Sequence, residues 1–229
     1  MKILRYIIIC AAVSWASFAY ADSFTFSTPA GATAGGQPVN ATANFVTGTG
    51  LFELVITNNQ ANPTSIIQAI SDLSFNLSNV TSGTLSTNFG FERNIAADGT
   101  FTIGNLVATG WALSNVGSTF HLNVLGTPTA PAHLIIGGPD NSGVYSNANG
   151  SIAGNGPHNP FFGEDAVFDI TDPGITADTQ VSTVVFSFGT TAGNNVPAGN
   201  NIPDSGATVA LLGLALMGLA AARAKFRKA

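Results

Sequence analysis

Positive charge is almost missing from the interior of this 229-residue chain. Lys2 and Arg5 stand at its start and Arg223, Lys225, Arg227 and Lys228 at its end, and between Asp22 and Asn201 the only cation is Arg93. Asp22, Glu53, Asp72, Glu92, Asp98, Asp140, Glu164, Asp165, Asp169, Asp172 and Asp178 share that stretch and give it a net charge of about −10. Such a surface repels phosphate backbones, which need Lys and Arg to displace their counterions, so nucleic acid is excluded as a partner. It tolerates divalent cations. The absence of Lys from residues 22–201 also excludes Schiff-base catalysis there. Cysteine is nearly absent too. Cys10 is the single one, so the chain forms no internal disulfide and its body holds no thiol nucleophile.

The basic start is followed by an apolar run from Tyr6 to about Phe18 and then by Ala19-Tyr20-Ala21. This is the layout of a secretory signal peptide with an A-x-A cleavage site at Ala19 and Ala21, and the run is short for a membrane span. Cleavage would leave Asp22 first and remove Cys10. The preceding Ile9 does not suit a lipoprotein site, which needs a small residue there.

Helical periodicity is also missing from the body, apart from one turn's worth at Ile66 to Ile70. The period there is two. In Asp72 to Ser78, Leu73, Phe75 and Leu77 alternate with polar residues, which predicts a strand with one face buried and one wet. Similar runs span 51–57, 101–107, 119–125, 133–136 and 165–170. The strongest, Val181 to Phe188, is rich in Val and Phe and reads as a central strand. Gly, Asn, Pro and Ser clusters bound each run. Some eight to ten short strands over residues 22–189 predict one all-β domain, an antiparallel β-sandwich or jelly roll, large enough to bury roughly 70% of its unfolded surface.

Two stretches break the rhythm. Residues 137–162, GGPDNSGVYSNANGSIAGNGPHNPFF, are too long for an ordinary hairpin loop, and loops of that length usually carry function. Residues 190–201, TTAGNNVPAGNN, hold no charge and read as a flexible linker.

The tail has three parts. Ile202-Pro203-Asp204-Ser205-Gly206 comes first, Ala207 to Ala222 is continuously apolar and would be helical in a bilayer, and residues 223–229 carry Arg223, Lys225, Arg227 and Lys228 as a basic stop. This order and spacing resemble the VPDSG form of the PEP-CTERM-like sorting signal read by bacterial exosortases, with Ile202 in place of Val. The resemblance implies export through the inner membrane, transient anchoring by the helix at 207–222, and removal of the tail by an exosortase. It further implies a bacterium with a Gram-negative-type envelope and a destination at the cell surface or extracellular matrix. The body resembles, more loosely, uncharacterised β-rich domains attached to such tails. A GPI signal ends apolar, unlike this one, and the Leu-Pro-x-Thr-Gly sequence of sortase substrates is missing.

The motifs of familiar chemistries are sparse. Glycoside hydrolysis needs two carboxylates across a cleft, and the candidates Glu53, Glu92, Glu164 and Asp165 are scattered or adjacent along strands. No G-x-S-x-G elbow occurs, and His121, His133 and His158 lack zinc spacing. Calcium is the most credible ligand, with Asp140, Asp165, Asp169 and Asp172 as oxygen donors in or after the long loop, although no EF-hand loop is present. Asn40, Asn76, Asn79 and Asn149 match the N-glycosylation pattern, which a bacterial host leaves unused. The sequence therefore leads to a non-enzymatic surface or matrix protein that meets polysaccharide or neighbouring surface proteins. The alternative is a carbohydrate-binding module using Trp111, Tyr145, Phe161 and Phe162 as stacking platforms. A secreted hydrolase is a third reading.

Overall fold

The computed structural model describes residues 22–125, 133–190, 195–198 and 201–203. The expected signal peptide at 1–21, the motif residues Asp204, Ser205 and Gly206, the apolar segment 207–222 and the expected basic stop lie outside them. Among the described residues no helix is long and apolar enough to cross a membrane.

Alternating sequence becomes strand almost everywhere it occurs. In chain order the strands are β1 (Asp22–Ser27), β2 (Thr33–Ala34), β3 (Gln37–Pro38), β4 (Ala41–Thr47), β5 (Leu51–Asn58), β6 (Ile70–Leu77), β7 (Thr84–Ile95), β8 (Phe101–Val107), β9 (Ala112–Val116), β10 (Thr119–Asn123), β11 (Ile135–Ile136), β12 (Phe161–Gly163), β13 (Asp165–Thr171), β14 (Val181–Phe188), β15 (Asn195–Pro197) and β16 (Asn201–Pro203). The turn expected at Ile66 is a 3-10 helix, Ile66–Gln68, with Ser65 and Gln68 forming a capping box.

One layer runs β16-β1-β4-β5-β13 and ends on the first half of β7. The other centres on β6, which pairs β14 on one side and β10 on the other, with β15 and β9 beyond them. β7 belongs to both. Its residues 84–89 pair β13, and its residues 90–95 pair β8 and β12. Twelve residues with a bulge let one strand turn the corner between layers, the device by which sandwiches close. Pairing is antiparallel except between β11 and β12.

The inward residues of the two layers meet as a line of phenylalanines. Phe45 and Phe52 of one layer lie 5.2 and 5.7 Å from Phe75 of the other, in edge-on geometry, and Phe75 stacks on Phe120 at 5.6 Å. All four are fully buried. Edge-to-face contacts suit the ring quadrupole and add to a burial gain of about 2–3 kcal/mol per ring.

Part of the expected linker is built into the sheets. Val196 is buried, β15 pairs β14, and β16 pairs β1. Val196 is the only large apolar side chain of that segment, and the core takes it up. Because β15 flanks β14, the Val- and Phe-rich strand stands one place in from the layer's edge.

Candidate functional site

Two places concentrate unusual features, the buried surroundings of Arg93 and the edge where the sorting motif begins. Arg93 lies on β7, where strand alternation turns it inward between Glu92 and Asn94, and only 8% of it is exposed. Its Nη1 donates to Glu164 Oε1 at 3.0 Å and to the Tyr145 hydroxyl at 2.8 Å. The tyrosine hydroxyl in turn donates to the Gly137 carbonyl at 2.8 Å, and the guanidinium lies 4.7 Å from the Phe101 ring centre. Gly163 makes this approach possible, because a Cβ there would stand 2.6 Å from Arg93 Nε. Burial works against the guanidinium charge, but Tyr145 and Glu164 outweigh it and the Arg93 pKa rises. Tyr145 is pushed up by burial, against the pull of Arg93, and Asp165 is pushed up by burial and by the neighbouring Glu164. These contacts tie β7 and the junction between β12 and β13 to the first half of the long loop.

The other half of the loop is tied by His133. Its Nδ1 lies 2.6 Å from the Pro160 carbonyl, which can only accept, so Nδ1 carries the proton. Nε2 faces Glu92 Oε1 at 3.9 Å, the ring packs edge-on against Phe162, and Trp111 Nε1 donates to the His133 carbonyl. Residues 137–162, expected to be a functional loop, are thus a cross-linked cover. Asp140 accepts from the amides of Ser142 and Val144 and from the Ser146 hydroxyl, which hold its carboxyl below the usual range. Asn149 Oδ1 accepts from the Ser151 amide, and Asn159 accepts from the Ile95 amide through Oδ1 and donates to the Ile95 carbonyl through Nδ2.

The structure separates most residues singled out in the sequence. Asp165 and Asp169 lie on β13, Asp172 follows that strand, and Asp140 stands apart in the long loop. Asp172 is engaged by the Ser82 hydroxyl and the Gly174 amide, and among the described residues no three His, Cys, Asp or Glu side chains converge as a metal site. Trp111, Tyr145, Phe161 and Phe162, expected as exposed stacking platforms, are all buried in the core, the last three brought in by the long loop and Trp111 packed against Phe168. His121 is half-buried on β10 opposite Ser74 and Ser114, and His158 is half-buried within the cover. Arg93 bypasses its neighbour Glu92, since adjacent strand residues point to opposite faces. Glu53 and Asp169 are brought together as cross-strand partners, on the face opposite the buried Phe52 and Leu54. An open cleft of about 260 Å³ lies elsewhere, lined by Asn94, Ile95, Thr100, Phe101, Thr102 and Asn159 among others.

At the second place the first two motif residues belong to a sheet. Asn201, Ile202 and Pro203 pair Phe26, Thr25 and Phe24 of β1. Sequence reading places Ile202 and Pro203 in a processing signal and gives no hint that they also complete a strand ladder.

A two-layer β domain leading through its edge strand into a three-part tail defines the class, an exported protein carrying its own sorting signal. The tail matches the VPDSG-CTERM motif over residues 202–226, so the chain bears an exosortase-type signal for export and cell-surface sorting. No curated protein and no solved structure matches the chain.

Proposed function

We propose that the chain is a non-enzymatic component of the cell surface or extracellular matrix, displayed by a β-sandwich and released from its tail by an exosortase. Residues 1–21 act as the signal peptide, the helix at 207–222 anchors the precursor in the inner membrane of a Gram-negative-type envelope, and the acidic domain stands on the far side. The observation that carries this reading is the VPDSG-CTERM match joined directly to the sandwich through β16. Support also comes from the carboxylates a hydrolase would need. Glu164 is committed to Arg93 and Glu92 to the Asn105 amide, and neither Glu53 nor Asp169 lines the cleft. Intact mass of the protein from its host's surface fraction tests the reading. A species starting at Asp22 and ending between Ile202 and Gly206 is expected, and retention of Ala229 overturns exosortase release.

The carbohydrate-binding alternative rests on the cleft beside Phe101, whose Asn94, Thr100 and Thr102 offer polar groups next to a partly exposed ring. Saturable binding on a glycan array, lost in Phe101→Ala, supports it, and no binding removes it.

A further inference from the structure

β16 and β1 are unequal partners. β1 is held on its other side by six rungs to β4, from Asp22 opposite Thr47 to Ser27 opposite Thr42, and it contributes Phe24 and Phe26 to the core. β16 is three residues long, has β1 as its one sheet neighbour among the described strands, and ends in Pro203, which has no amide to donate. When the pair opens, β16 is therefore the strand that leaves, a local opening that spares the core. An enzyme that reads a peptide motif takes it as an extended segment through main-chain hydrogen bonds. Along β1 that backbone edge of Ile202 and Pro203 is occupied.

We propose that the outer edge of β1 is a docking site for β16, which carries the first two residues of the chain's own sorting motif, and that exosortase captures the motif only when β16 has separated from β1. This rests on the reading that an exosortase processes the chain. Docking makes tail removal depend on the folded domain. A stably paired β16 slows release, and a loosened one speeds it. The register also brings the two processing points together, since Phe24, opposite Pro203, lies two residues beyond the expected new N-terminus at Asp22.

The cysteine-free body makes a direct test available. Opposed residues of an antiparallel pair have Cα atoms about 4.5–5.5 Å apart, inside the disulfide range of about 4.4–6.8 Å. Thr25 and Ile202 are such a pair. The double variant Thr25→Cys/Ile202→Cys is expected to form an intramolecular disulfide on oxidation of the purified chain from Asp22 to Ala229, free of Cys10, in detergent, read by thiol titration. In the host, the cross-linked form should be processed at least about tenfold more slowly than the Ile202→Cys single variant, which carries the same motif change, and reductant should restore the rate. Failure of the folded chain to cross-link overturns the docking. Equal processing of cross-linked and single-variant chains overturns the gate alone, whereas a wild-type chain that keeps Ala229 overturns the exosortase reading and the gate with it.

Discussion

Arg93 and Glu164, 71 residues apart in sequence, form an ion pair of 3.0 Å in which the arginine is buried and the glutamate is half-exposed. The sole cation between Asp22 and Asn201 thus clamps the loop cover to the sheet instead of meeting solvent. Removing it leaves the Tyr145 hydroxyl and the Glu164 carboxylate without their donor. Arg93→Met is expected to destabilise the domain by about 2–4 kcal/mol in urea unfolding. Arg93→Lys should recover part of the loss, because both hydrogen bonds leave the single nitrogen Nη1, while the planar contact with the Phe101 ring is given up. Glu164→Gln should cost about 1 kcal/mol or less, since solvent screens the exposed partner.

Phe75 touches Phe45, Phe52 and Phe120 and lies where the two layers meet. Phe75→Ala removes a ring from a site whose neighbours belong to three different strands and cannot close over the void. A loss of about 3–5 kcal/mol is expected by thermal or denaturant unfolding, with Phe75→Leu nearer 1–2 kcal/mol.

Burial raises the Asp72 carboxyl to about 6, and the charge of His121 opposes the shift only in part. A carboxyl with a raised folded pKa binds its proton more tightly in the folded state. Its contribution therefore favours folding at low pH and is lost as pH rises from the ordinary carboxylate range through about 6. Asp72→Asn should raise stability at pH 7 relative to wild type, and the gain should vanish at pH 4. Equal effects at both pH values would contradict the assignment.

β8 carries no charge and no proline, and Phe91, Ile103 and Leu106 on the β7–β8 pair are 53, 65 and 51% exposed. Among the described strands β8 pairs only β7, leaving its other edge open. Neutral apolar edges of this kind recruit other strands. Ile103→Lys should lower the tendency of the purified domain to associate, measured by light scattering against concentration, while leaving its melting temperature within about 2 °C because the site is exposed.

Several elements were legible before any coordinates. Residues 101–107 and 181–188 become β8 and β14 with the expected ends, and the alternation at Leu73, Phe75 and Leu77 names the buried face of β6 correctly. β7 was not legible. Its burial changes side midway because it serves two layers, so no single alternation runs through its twelve residues. The long loop misled in a different way. Its Gly and Asn content signals turns, but Tyr145, Ile152, Phe161 and Phe162 are core residues brought in by those turns.

The sorting signal, the acidic balance and the all-β class came from sequence alone, because each is local or additive: a motif read in order, a sum of charges, a period of two. Tertiary structure decided which residues share a site. Glu164 rather than Glu92 meets Arg93, Glu53 meets Asp169, and Ile202 meets Thr25. Such meetings depend on strand order and register across long stretches of chain, and a one-residue slip of a strand would change every one of its partners.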